Sequence, residues 1–190
     1  MTKPRFVLPA CCLLFGLLLA TTSVARDPRP RSTLPTPAAV EDGVAVYFSP
    51  NGNALGALRH MINSARKSID VQAFVLSTNR ISKPLIDAHR RGVKVRVIFD
   101  SDAKRGKYSK HQDLRDAGIA VYFDGPSGAR AHNKVMLIDS RAIVTGSFNF
   151  TLQADEENVE NLVILDNKMK LVQAYQKQFE TRLKASASAN

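Results

Sequence analysis

From residue 44 onward, short apolar runs alternate with segments whose apolar residues recur every three or four positions. Residues 44–48 form a β-prone run closed by Ser49-Pro50-Asn51-Gly52, a strong turn signal. Leu55, Leu58, Ile62 and Ala65 then follow at helical spacing, with Arg59, Asn63 and Arg66 between them, which predicts an amphipathic helix. Residues 69–76 read as a second strand. Ser82-Lys83-Pro84 reads as a helix opening, with a hydroxyl cap and an early proline, and Gly92 as its stop. Residues 93–99 give a third strand, 111–117 a short helix ending at Gly118, and 119–123 another strand. Two apolar runs, 135–138 and 142–145, flank Asp139-Ser140-Arg141, and 162–165 supply one more strand. A closing helix over 168–183 buries Val172, Tyr175, Phe179 and Leu183, before a frayed tail at 185–190. This alternation predicts an α/β fold, a mixed β-sheet flanked by helices, antiparallel where the last strands are nearly adjacent.

The segment before residue 44 has a different character. A basic start with Lys3 and Arg5, an apolar run over 6–20 and the small residues Ser23-Val24-Ala25 read as a secretory signal cleaved after Ala25. The run is short for a membrane span and Pro9 interrupts it. Residues 26–42 carry four prolines and few large apolar side chains, which describes an extended leader. One domain is thus expected over 43–184, long enough for a real core within a chain of 190 residues. Both cysteines, Cys11 and Cys12, fall in the signal segment, so the mature protein would hold no disulfide and would depend on packing. Its destination is expected to be the periplasm or the cell exterior.

Charge adds a partner class. Lys and Arg number 27 against 17 acidic residues, a formal net charge of +10, which suits a polyanion such as nucleic acid or anionic lipid. No His, Cys and carboxylate grouping has metal-ligand spacing, and neither metal nor cofactor is expected. His60, His89 and His111 sit among polar neighbours in helical stretches and read as surface residues.

The chemistry concentrates in one run, His132-x-Lys134-x4-Asp139-x6-Gly146-Ser147-x-Asn149. His132 and Lys134, two apart at the start of a β-prone run, can share one face and meet a single phosphate. Ser147 and Asn149 repeat that offset after a glycine and add a hydroxyl and an amide as further donors. Asp139 lies five residues from Lys134 at a turn, so a turn cap or an ion pair at the edge of the site stays open beside a place in catalysis.

This run resembles the HxKxxxxD signature and GSxN extension of the phospholipase D superfamily. The resemblance covers roughly residues 44–183 and is nearest in pattern to the small single-motif bacterial nucleases of that superfamily. Tyr47-Phe48-Ser49-Pro50, Arg91-Gly92-Val93-Lys94-Val95 and Asn158-Val159-Glu160-Asn161 carry it beyond the motif. It implies a phospholipase D-like fold and a metal-independent phosphodiesterase in which His132 forms a phosphohistidine. It also implies that Glu160 is the acid held against the catalytic histidine. In the family a second motif histidine protonates the leaving oxygen. A chain with one copy is therefore expected to form a homodimer, with His132 of both subunits in one site on the two-fold axis.

Residues 100–110 follow a strand and mix four basic residues with one aromatic, so they could hold a nucleic-acid backbone and stack a base. Lys104, Arg105 and Lys107 are the candidates there, and Arg130 is a fourth, two residues before His132. The leading reading is a non-specific endonuclease acting on DNA and also RNA. Its rivals are a hydrolase of phosphatidylcholine or cardiolipin, and, from another class, a non-catalytic polyanion-binding module. No apolar entry surface for lipid is evident outside the predicted core elements.

Overall fold

A computed structural model describes residues 34–125 and 129–188. The signal segment, the first part of the leader and the last two residues lie outside the described residues. The described chain forms one mixed sheet of nine strands. These are β1 (Ala39–Glu41), β2 (Val44–Ser49), β3 (Ser68–Ala73), β4 (Lys94–Asp100), β5 (Ala120–Asp124), β6 (Lys134–Ile138), β7 (Ala142–Gly146), β8 (Glu160–Asp166) and β9 (Ala187–Ser188). Their order across the sheet is β1-β2-β8-β7-β6-β3-β4-β5-β9. Only β3, β4 and β5 pair in parallel; every other neighbour pair is antiparallel. The parallel pairs require crossovers, supplied by α2 (Asn79–Arg90) and by α3 (His111–Asp116). The antiparallel β6 and β7 need only the tight turn at residues 139–141.

Both faces of the sheet are covered, which explains the near-continuous apolar runs. In β6 all five residues are buried. Met136 and Ile138 join the larger core with α1 (Ala54–Ser64), α2 and α3, whereas Val135 and Leu137 pack under α5 (Met169–Ala185). Polar clamps also hold α5 down. Arg96 on β4 bonds Asp70 at 2.7 Å and Glu180 at 2.7 Å, Gln176 donates to Asp70 at 3.0 Å, and Arg182 Nε donates to Asp124 at 2.7 Å.

The alternation of elements, the mixed sheet and its antiparallel part are as the sequence predicts. Several edges differ. α2 begins three residues before Ser82, with Thr78 as cap: its Oγ1 accepts from the Arg80 amide at 3.2 Å, and Pro84 lies inside the helix. Ile81 and Leu85 are fully buried, so packing of that first turn outweighs the one amide that Pro84 lacks. The leader is not wholly free chain, because its residues 39–41 pair with β2. Where a frayed tail is expected from 185, α5 runs through Ala185 and Ala187–Ser188 pair with β5. A short helix, α4 (Leu152–Glu156), capped by Thr151 Oγ1 on the Ala154 amide, has no counterpart in the sequence reading.

Candidate active site

Strand directions gather the chemistry at one end of the sheet. The carboxyl ends of β3, β4 and β5 lie at the same end as the start of β6, the end of β7 and the start of β8. His132, Lys134, Gly146, Ser147 and Glu160 therefore converge, although up to 28 residues separate them in sequence. They line a cavity of about 420 Å³ with Asn149, Thr145 and, from α5, Tyr175.

His132 is exposed at the mouth, with Phe74 beside it, the two ring centroids 4.2 Å apart. The strand leading to it is fixed at two points. Ala131 N–H donates to Asp100 Oδ2 at 2.7 Å, and the Asn133 carbonyl accepts from Phe74 N–H at 2.8 Å. Lys134 is buried, its ammonium 3.0 Å from His132 Nδ1, 3.0 Å from the His132 carbonyl and 4.9 Å above the Phe74 ring. Burial pushes the Lys134 pKa below its ordinary value, and the charge of Glu160 opposes that shift. The side chain is thus a poorly solvated cation facing a polar cavity, suited to a phosphoryl oxygen.

Ser147 follows Gly146, whose φ of 148° lies in the region that favours glycine. A Cβ there would fall 2.3 Å from the Asn161 carbonyl, so the close approach of β7 to β8 needs glycine. Ser147 Oγ donates to Glu160 Oε2 at 2.5 Å and accepts from the Asn161 amide at 3.0 Å. Asn158 Nδ2 donates to the other Glu160 oxygen at 3.0 Å. Asn149 Oδ1 is buried, with no hydrogen-bond partner among the described residues. The site therefore combines an imidazole, a cation, a carboxylate, a hydroxyl and a carboxamide. That set can bind a phosphate diester and attack it.

The fold places Asp139 and Glu160 differently. Asp139 is at the opposite end of β6 from His132. Its carboxylate accepts the backbone amides of Arg66, Lys67 and Ser68 at 2.7–3.1 Å, and thereby joins the turn after β6 to the turn after α1. This is the turn-capping role, one of the two that the sequence left open. Glu160 holds Ser147 and Asn158, and among the described residues no hydrogen bond joins it to His132. Within one chain its charge acts on Lys134 and its carboxylate accepts from Ser147.

The candidate phosphate contacts lie nearby but are engaged. Arg130 pairs with Asp102, and Arg105 donates to Asp102 at 2.5 Å. Lys104 sits 4.7 Å above the Phe123 ring and Lys107 5.6 Å above that of Tyr108. His60, His89 and His111 are half-buried and do not lie on the open surface. His111 packs edge-on against Phe99 and Phe123, and burial lowers its pKa. Phe74, Asp100 and Tyr175 are the site residues the sequence reading missed. Each comes from a distant element, and a polar residue ending an apolar strand, as Asp100 does, is the one signal that could have pointed to it.

Residues 58–183 match the family described as cardiolipin synthase, PLD-like domain. A phospholipase D of Rickettsia prowazekii is 39% identical over 132 residues, which is 70% of this chain and 63% of that protein. A mitochondrial cardiolipin hydrolase of Xenopus laevis is 38% identical over 128 residues, 67% of this chain and 60% of that protein. The match thus spans less than two thirds of these relatives' length. Among solved structures, the phospholipase D family member Nuc from Salmonella typhimurium superposes with a TM-score of 0.73 at 31% identity, over 77% of this chain and 97% of that one. NucT from Helicobacter pylori, 22% identical with a TM-score of 0.70 over 76% of this chain and 98% of that one, shares the fold.

Proposed function

This chain belongs to the phospholipase D superfamily, and on that premise we propose that it is a phosphodiesterase cleaving nucleic acid, DNA and also RNA, through a covalent intermediate on His132. The observation that carries the reading is the convergence of His132, Lys134, Ser147, Asn149 and Glu160 on one cavity. The Lys134 ammonium and the Asn149 amide hold the non-bridging oxygens. A nitrogen of the His132 imidazole attacks phosphorus, and the bond to the leaving oxygen breaks.

That oxygen needs a proton, and one chain supplies one motif histidine. The reading therefore includes a homodimer in which His132 of the partner subunit is the acid. Water then attacks the phosphoryl group and gives its proton to that same imidazole, and the phosphorus–nitrogen bond breaks. The exposure of His132 and of Ser147, and Val159 at 90% exposure beside Glu160, leave a face for a second copy to cover. The net charge of +10 supports a polyanionic substrate. The signal pattern of residues 1–25 supports export to the periplasm or the cell exterior.

The names of the Rickettsia and Xenopus relatives favour a second reading, hydrolysis of a phospholipid by the same residues. Plasmid nicking and phospholipid hydrolysis measured side by side with chelator present separate the two. Nicking that survives chelator and is lost in His132→Ala is expected. Lipid turnover with no nucleic-acid cleavage would reverse the substrate assignment.

A further inference from the structure

Beside the catalytic cavity lies a larger hollow of about 560 Å³. Phe74 links the two: its ring lies against that of His132, and it is among the residues that line the hollow. Leu76 continues the floor. Tyr108 and Leu152 form walls and stay 72% and 40% exposed. Lys107 and Arg130 stand at its rim, Lys107 above the Tyr108 ring. A large aromatic side chain left in water at the lip of a hollow, one ring away from the attacking imidazole, is a feature that the hydrolytic steps do not use.

We propose that this hollow receives one unstacked base of the strand whose phosphate lies at His132, with Tyr108 stacking on its face. The inference rests on the nucleic-acid reading above. The volume falls within the range of small-ligand sites and is small for the several chains of a membrane lipid. Its apolar lining is ringed by charge, from Lys107 and Arg130 and from Asp100 and Asp102. A base presents an apolar face with polar edges and is tethered to phosphates that basic groups attract, whereas an acyl chain has no use for such a rim. The loop carrying Tyr108 brings Lys104, Arg105, Lys107 and Lys110 with it, against Asp102 as its one acid after Ser101. Stacking reads no sequence, so the subsite would position the strand without selecting a base.

The test compares a single-stranded oligothymidylate with an abasic oligomer of the same length, for the wild-type chain, Tyr108→Ala and Tyr108→Phe. Oligothymidylate should be the better substrate in kcat/KM by about tenfold, the size of one stacked base. Tyr108→Ala should remove that advantage and leave the abasic oligomer unaffected, and Tyr108→Phe should restore it. Equal cleavage of the two oligomers by the wild-type chain, or an equal loss on both in Tyr108→Ala, would overturn the subsite while leaving the nuclease reading intact. A smaller species in sedimentation of Tyr108→Ala would overturn it too and give the hollow to a second copy. Slowed hydrolysis of cardiolipin vesicles with unchanged cleavage of oligothymidylate would overturn it in favour of an acyl chain. If neither oligomer is cut while vesicles are hydrolysed, the nucleic-acid reading fails and takes the subsite with it.

Discussion

The β6–β7 hairpin carries one sequence motif but has two ends built on opposite principles. At the His132 end, polar groups face an open cavity: a buried ammonium against an exposed imidazole, a hydroxyl and a carboxamide. At the Asp139 end, a single carboxylate satisfies three backbone amides and closes two turns. Polar groups turned to an open cavity add little to a fold and can meet a substrate; groups satisfied within the fold stabilise it and offer a substrate nothing. Spacing in the motif makes His132 and Asp139 look alike, and only their surroundings separate catalysis from architecture.

Substitutions at the two ends should therefore fail in opposite ways. The largest effect is expected for His132→Ala, with cleavage reduced by at least ~10³-fold and the melting temperature unchanged, measured by rate assay and calorimetry on the same sample. Lys134→Met should come next, losing roughly 10²-fold in kcat while melting no lower than the wild-type chain, because it removes a buried cation. A drop in its melting temperature would show that Lys134 supports the fold.

The same lysine sets a pH dependence. Burial disfavours its proton in the folded state, so that proton leaves below the ordinary 10.5. The basic limb of kcat/KM should accordingly fall earlier than an ordinary lysine would allow, and Lys134→Arg should move it to higher pH. Between the lowered folded pKa and 10.5 the unfolded chain holds a proton that the folded chain has released, so stability rises with pH across that window. Denaturant melts at several pH values should show this rise in the wild-type chain and its loss in Lys134→Met.

At the other end, Asp139→Ala should cost about 2 kcal/mol, a fall of several degrees in melting temperature, with kcat per folded molecule kept. A large loss of kcat at full folding would return Asp139 to the catalytic set. The smallest effect is expected for Glu160→Gln, about tenfold in kcat, since the amide still accepts from Ser147 while the charge acting on Lys134 is lost.

How much of this was legible in the sequence follows from the range of the forces involved. After Lys134, β6 is apolar to its end because helices cover both faces, and a local run reports that burial directly. His132, Lys134, Ser147 and Asn149 could be grouped because two short offsets and one hairpin bring them together. The start of α2 was misplaced because a serine, a lysine and a proline imitate a cap, whereas the buried Ile81 and Leu85 decide it. Phe74 and Asp100 were invisible as site residues. Their roles depend on β3 and β4 ending beside the start of β6, which is a property of strand order and not of any local pattern. Glu160 shows the same limit: its position at the site was legible, but its partners, Ser147 and Asn158, were not.

The most direct test of catalysis at the open end of the hairpin is to quench a single turnover on a phosphorus-labelled oligonucleotide and map the labelled peptide. The expected result is an acid-labile phosphoryl group on His132 that forms before product, decays as product appears and is absent from His132→Ala. Product released with no such adduct, or with the label on any other residue, would contradict it.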